Sequence, residues 1–187
     1  MKEATRRLFF AFWPTAAERA RMAEAARTLL AASGGRAVTE SNLHVTLAFL
    51  GSVAERRMEE VVAIARRVAE SGVAAPPLQF SFEHLEYWKK ARVLCAVPSP
   101  PAAGAPQNAT SGAGALAEAL KTDLVAAGFA PDPKPFHAHV TLARKVARMP
   151  SPTQVSPVRW SFEDYALVES RTDARGSTYQ TLHTFTL

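Results

Sequence analysis

At 187 residues and 48% hydrophobic content the chain is long enough to bury one sizeable core and too short for two independent domains to be expected. Its 22 basic against 17 acidic side chains leave a formal charge of +5, which suits anionic partners such as phosphates or nucleic acid without naming one. A single cysteine, Cys95, excludes an intrachain disulfide, and the apolar run Leu8 to Trp13 is too short to span a bilayer and has no small-residue cleavage site behind it. The expectation is one cytoplasmic unit, 1–187, monomeric and without a membrane segment.

In chain order, Arg7 to Trp13 is short, rich in aromatic and aliphatic residues and stopped by Pro14, which predicts a buried strand. Thr15 and Glu18 form a capping box. Ala16 to Ser33 follows as a helix, with Met22, Ala26, Leu29 and Leu30 apolar and Gly34-Gly35 ending it. In Leu43 to Leu50, alternation sets Leu43, Val45, Leu47 and Phe49 on one face and His44, Thr46 and Ala48 on the other. Ser52 with Glu55 predicts a second capping box, opening a helix whose apolar positions run from Met58 to Val68 and stop before Gly72. Arg56, Arg57, Arg66 and Arg67 fall to its solvated face.

Leu78 to Leu85 and Arg92 to Val97 read as a hairpin, with Cys95 a buried strand thiol. Pro98 to Gly114 is uncharged and rich in Pro, Ala, Gly and Ser, which predicts a flexible loop. A third helix spans Ala115 to Ala127 and is closed by Gly128. Pro131, Pro133 and Pro135 then force an extended approach to Phe136 to Ala143. Val158 to Glu169 and Thr178 to Leu187 are the last strands, with Gly176 as turn residue. About seven strands and three helices that do not alternate uniformly predict an α+β fold with mainly antiparallel sheet.

One string occurs twice: His44-Val45-Thr46-Leu47 and His139-Val140-Thr141-Leu142. Alternation explains the Val and Leu positions, but it does not require His and Thr to recur on the opposite face. Metal binding is disfavoured, because no Cys, Asp or Glu stands at ligand spacing and Thr is a poor ligand. A His-activated Thr nucleophile lacks a third group to orient the base. Acid and base catalysis by two histidines explains the pairing: displacement at phosphorus needs a proton taken on one side and given on the other. Imidazole, with an unperturbed pKa of about 6.5, serves either role near neutrality. The Thr hydroxyls can then donate to non-bridging phosphate oxygens.

The strings HVTLAFLG (His44 to Gly51) and HVTLAR (His139 to Arg144), the opening RLFFAFW, Gly128-Phe129 and the closing LVES with Gly176 and Tyr179 together resemble the two-histidine (2H) phosphoesterase superfamily. Within it they resemble the RNA 2′,3′-cyclic phosphodiesterases, also called 2′-5′ RNA ligases. The resemblance implies a bilobal fold with internal pseudo-twofold symmetry around a central cleft. It implies cofactor- and metal-independent opening of a terminal 2′,3′-cyclic phosphate to a 2′-phosphate, with reversible 2′-5′ joining. The catalytic residues implied are His44, Thr46, His139 and Thr141: His44 protonates the leaving 3′ oxygen, His139 activates water, and Arg144 binds substrate. RNA with cyclic phosphate ends, tRNA fragments among it, is the implied partner. The family usually has proline where Ala138 stands, and strict parity would put Arg144 on the core side. Tyr179 is a candidate base contact, and His137 shares the parity of His139. His84 and His183 read as structural. The alternatives are a phosphodiesterase for a small cyclic nucleotide or ADP-ribose cyclic phosphate, or a non-catalytic RNA-end-binding module.

Overall fold

The two repeated strings meet at the centre of one antiparallel sheet. The computed structural model describes residues 3–99, 108–173 and 176–187. Its strands are β1 (Thr5–Phe12), β2 (Arg36–Ala37), β3 (Val45–Ala54), β4 (Leu78–Trp88), β5 (Val93–Pro98), β6 (Val140–Arg144), β7 (Gln154–Phe162), β8 (Asp164–Asp173) and β9 (Gly176–Thr186). They lie in the order β7-β4-β5-β6-β3-β1-β8-β9, with β2 beside β6. Each half has four strands, and the innermost of each carries a His-x-Thr string. The inner strands of the two halves pair through one residue pair, Val45 with Val140, and where β3 leaves β6 the short β2 takes its place through Arg36 opposite Arg144.

Three helices, α1 (Ala16–Ser33), α2 (Met58–Glu70) and α3 (Asn108–Ala126), pack with the sheet around the main core. That core includes Phe10, Phe12, Val45, Leu47, Val140, Leu142, Trp160 and Tyr165, while a smaller cluster of Phe9, Ala11, Ala166 and Val168 is separate from it. Helix α1 follows β1 of one half yet packs on β7 and β6 of the other, so the halves interlock.

Several expectations change. The Ser52 capping box does not form. Strand β3 continues to Ala54, paired with Thr5, and a 3-10 turn at Glu55–Arg57 leads into α2. Sheet pairing outcompetes the local cap. Arg57 is not merely solvated: it donates to Ala127 O at 2.7 Å and lies 3.7 Å from the Phe129 ring centroid. Asn108 to Gly114, read as loop, is helical; the remaining 100–107 of that segment lies outside the described residues. Val158 to Glu169 is two strands broken at Glu163, β7 on one sheet edge and β8 near the other. His183 is exposed rather than structural.

Candidate active site

The antiparallel pairing of Val45 with Val140 sets His44 beside Thr141 and Thr46 beside His139. All four side chains leave the core face together, because residues two apart on a strand point the same way. The two histidines are held alike. His44 Nδ1 lies 2.7 Å from Asn42 O, and His139 Nδ1 lies 2.7 Å from His137 O. A carbonyl only accepts, so each Nδ1 carries the proton, and each Nε2 is the ring nitrogen not bound to the backbone. His44 Nε2 is 3.1 Å from Thr46 Oγ1, and Thr141 Oγ1 stands 3.9 Å from the buried Cys95 sulfur. Burial pushes the Cys95 thiol up to about 12, so it stays protonated.

Both strings contain a β-bulge at the same place. Opposite β3, Phe10 pairs with Ala48 and Ala11 with Thr46, passing over Leu47. Opposite β6, Leu94 pairs with Ala143 and Cys95 with Thr141, passing over Leu142. The extra residue reverses parity. Ala48 and Ala143 therefore join the core, and Phe49 and Arg144 turn to the histidine face. Strict alternation had placed Phe49 on the core side and Ala48 beside Thr46; the bulge corrects both and gives Arg144 its route to the cleft.

The surroundings of the two rings differ. His44 stacks on Trp13 at 5.2 Å and 14°, with Phe9 at 5.0 Å and Tyr179 edge-on at 5.2 Å. Burial pulls its pKa down to about 4, helped by the charges of His139 and Arg144 and opposed by the Asn42 carbonyl. His139 packs on Trp88 at 4.6 Å. Burial lowers its pKa too, but the His137 carbonyl and the Glu86 carboxylate oppose the fall. Glu86 in turn accepts from Trp88 Nε1 at 2.8 Å and lies 3.7 Å from His137 Nε2.

A cavity of about 690 Å³ opens on the His44 side, lined by His44, Thr141, Arg144, Asn42, Arg36 and Tyr179 among others. Tyr179 is thus a rim residue. In the first half the sixth position holds Phe49, and Arg7 reaches over its ring at 4.9 Å. His137 is 58% exposed beside His139, and His84 and His183 do not line this cavity. Sequence reasoning missed Trp13, Trp88, Glu86, Arg36 and Asn42. The first three act through strand neighbours far apart in sequence, whereas Asn42, two residues before His44, was findable by analogy with His137. Among the described residues, no group of three or more His, Cys, Asp or Glu side chains is placed to hold a metal ion. Nor is any helix among them long and apolar enough to cross a membrane.

Residues 13–95 match the family model described as LigT like Phosphoesterase. The RNA 2′,3′-cyclic phosphodiesterase of Escherichia coli K12 is 30% identical over 138 residues, 74% of this chain and 71% of that protein. The chain belongs to the LigT-like phosphoesterase family. The RNA 2′,3′-cyclic phosphodiesterase of Thermus thermophilus is 28% identical over 188 aligned positions, 97% of this chain and 90% of that protein. The fold agrees over the whole length: the crystal structure of E. coli LigT in apo form superposes with a TM-score of 0.81 at 24% identity, covering 100% of this chain and 99% of that one.

Proposed function

We propose that this enzyme opens a terminal 2′,3′-cyclic phosphate of RNA to a 2′-phosphate and a free 3′ hydroxyl, with His44 and His139 as the proton-transfer pair. The observation that carries this reading is the central block in which each His stands beside the other string's Thr, with both Nε2 atoms freed by identical Nδ1 anchors. Water attacks phosphorus from the side opposite the 3′ oxygen, and the P–O3′ bond breaks. His139 Nε2 takes the water proton, and the imidazolium of His44 gives its proton to the departing 3′ oxygen. The Thr46 and Thr141 hydroxyls and the Arg144 guanidinium donate to the non-bridging oxygens, where charge builds. Proton exchange with solvent then resets the rings. A 5′ hydroxyl in place of water, by the same displacement, makes a 2′-5′ linkage.

Incubation with a cyclic-ended RNA, followed by product identification, tests this directly. The expected product ends in a 2′-phosphate; a 3′-phosphate, or an end left closed, overturns the reading. Opening of 2′,3′-cyclic mononucleotides alone, with RNA ends untouched, would favour the small-nucleotide alternative.

Arg144→Ala is expected to lower kcat/KM by about 10²-fold, the usual cost of one donor to a charged transition state, and Arg144→Lys should recover little because lysine lacks the planar fork. Full activity in the Ala variant would remove Arg144 from the site.

The lowered histidines set a pH expectation. The free enzyme binds both protons more weakly than ordinary imidazole, so the bell of kcat/KM should centre below pH 6.5, with one limb near pH 4. An anionic phosphate between the rings favours the imidazolium, so the kcat bell should lie at higher pH than that of kcat/KM. Profiles flat from pH 4 to 8 would refute proton transfer by these residues.

A further inference from the structure

We propose that a strip of cations across the ends of β2, β6, β5 and β4 binds backbone phosphates of the RNA upstream of its cyclic end. This rests on the hydrolase reading above and says which way the chain leaves the cleft. Arg36 faces Arg144 across β2 and β6, and Arg144 faces Val93 across β6 and β5. Lys145 continues β6, and Lys89 and Lys90 form the exposed turn between β4 and β5. Three strand spacings of about 4.8 Å make this row about 14 Å wide, more than one phosphate requires.

Three observations carry the strip. First, none of Arg36, Lys89, Lys90, Arg144 and Lys145 makes an ion pair among the described residues, although ten such pairs occur elsewhere. Second, on the opposite flank most cations are already neutralised: Arg6 pairs with Glu55 and Glu169, Arg171 with Glu169, and Arg56 with Glu3, which leaves Arg7 over the Phe49 ring without an ion pair among the described residues. Five unpaired cations against one favour a polyanion on the β2, β6, β5, β4 side of the cleft. Third, Arg92 and Lys145, the non-glycine residues of positive φ among those described, lie together in this corner, at 53° and 55°. That left-handed backbone is disfavoured for both, and it is held by Val146: its N–H donates to Arg92 O at 2.9 Å, and its carbonyl accepts from Tyr87 Oη at 3.0 Å and Arg92 Nε at 3.3 Å. The arginine is spent on carbonyls while the lysine is left exposed. Glu86, the nearest carboxylate on these strands, is engaged by Trp88 and His137.

The test compares 2′,3′-cyclic AMP with a cyclic-ended RNA oligonucleotide, using the unaltered enzyme, the Lys89→Glu/Lys90→Glu double variant, and Lys145→Asn, a residue that tolerates the left-handed backbone. The double variant should lose about tenfold or more in kcat/KM on the oligonucleotide and stay within about twofold on the mononucleotide, and Lys145→Asn should lose less on the same substrate only. The salt dependence of RNA binding should flatten by about 0.7 in log–log slope for each phosphate that a variant no longer neutralises. Equal losses on both substrates, or none on the oligonucleotide, overturn the strip. Failure of the unaltered enzyme on both substrates overturns the hydrolase reading instead. Fluorescence anisotropy of a labelled RNA then decides the strip: weakened binding by the double variant retains it, and unchanged binding removes it.

Discussion

Alanine in place of His44 or His139 is expected to lower kcat on a cyclic-ended RNA by about 10³-fold, within the range for loss of a positioned acid or base. That corresponds to about 4 kcal/mol of barrier. The loss should appear in kcat rather than in RNA affinity, because neither ring supplies the charge that attracts the strand. Both are neutral near pH 7, given pKa values lowered by burial. The double variant should be little worse than either single one, since in the proposed mechanism the two rings serve one displacement as a unit. His44→Ala also removes the partner on which Trp13 stacks, so circular dichroism and thermal melting must accompany the kinetics. Turnover within about tenfold of the unaltered enzyme in a folded variant would sink the assignment. Absence of turnover in the unaltered protein, with RNA still bound, would instead favour the binding-module alternative.

Glu18→Ala should destabilise the fold by about 3 kcal/mol, far more than an ordinary helix-surface substitution. Glu18 Oε2 accepts from Thr15 N at 2.9 Å and Thr15 Oγ1 at 2.7 Å, closing the capping box of α1. Its other oxygen accepts from Ser161 N at 3.1 Å, on β7. Loss of the cap costs about 1 kcal/mol. Ser161 N–H, on an exposed residue of the edge strand β7, loses a bond to a carboxylate, which adds about 1.5–3 kcal/mol. For a chain of this size the sum lowers Tm by about 6–12 °C. Thr15→Ala, which spares the Ser161 bond, should cost about 1 kcal/mol. Equal losses in the two variants would mean that the bond from α1 to β7 contributes nothing.

The same glutamate shows where sequence reading stops. A Thr and a Glu three apart, followed by helical residues, disclose a cap, and α1 spans Ala16–Ser33 as that pattern predicts. Nothing local says that the second carboxylate oxygen serves Ser161. Ser52 and Glu55 have the same spacing, yet there the partner strand β1 decides, because pairing as far as Thr5 with Ala54 keeps the backbone extended. Glu163 breaks a continuous run without a glycine or proline to announce it. The shared face of His44 with Thr46 and of His139 with Thr141 was legible, since a period of two needs no knowledge of neighbours. The turn of Phe49 and Arg144 toward that face was not: a bulge is a mismatch between two strands, and one strand's alternation cannot reveal what its partner skips. Trp13 and Trp88 were invisible as ring neighbours for the same reason.

The matching bulges at Leu47 and Leu142 also bear on how such a protein can change. By absorbing one residue just after each His-x-Thr string, they detach the sixth position from the main core while the leucine and alanine before it stay packed. Arg144 there is exposed and Phe49 is only partly buried, against the smaller cluster, so the position escapes the volume constraints of the main interior. One half carries an aromatic ring and the other a guanidinium on the same backbone frame. A duplicated scaffold built this way can retune charge and shape on either side of its symmetry axis by one substitution at a time, without reopening the question of whether it folds.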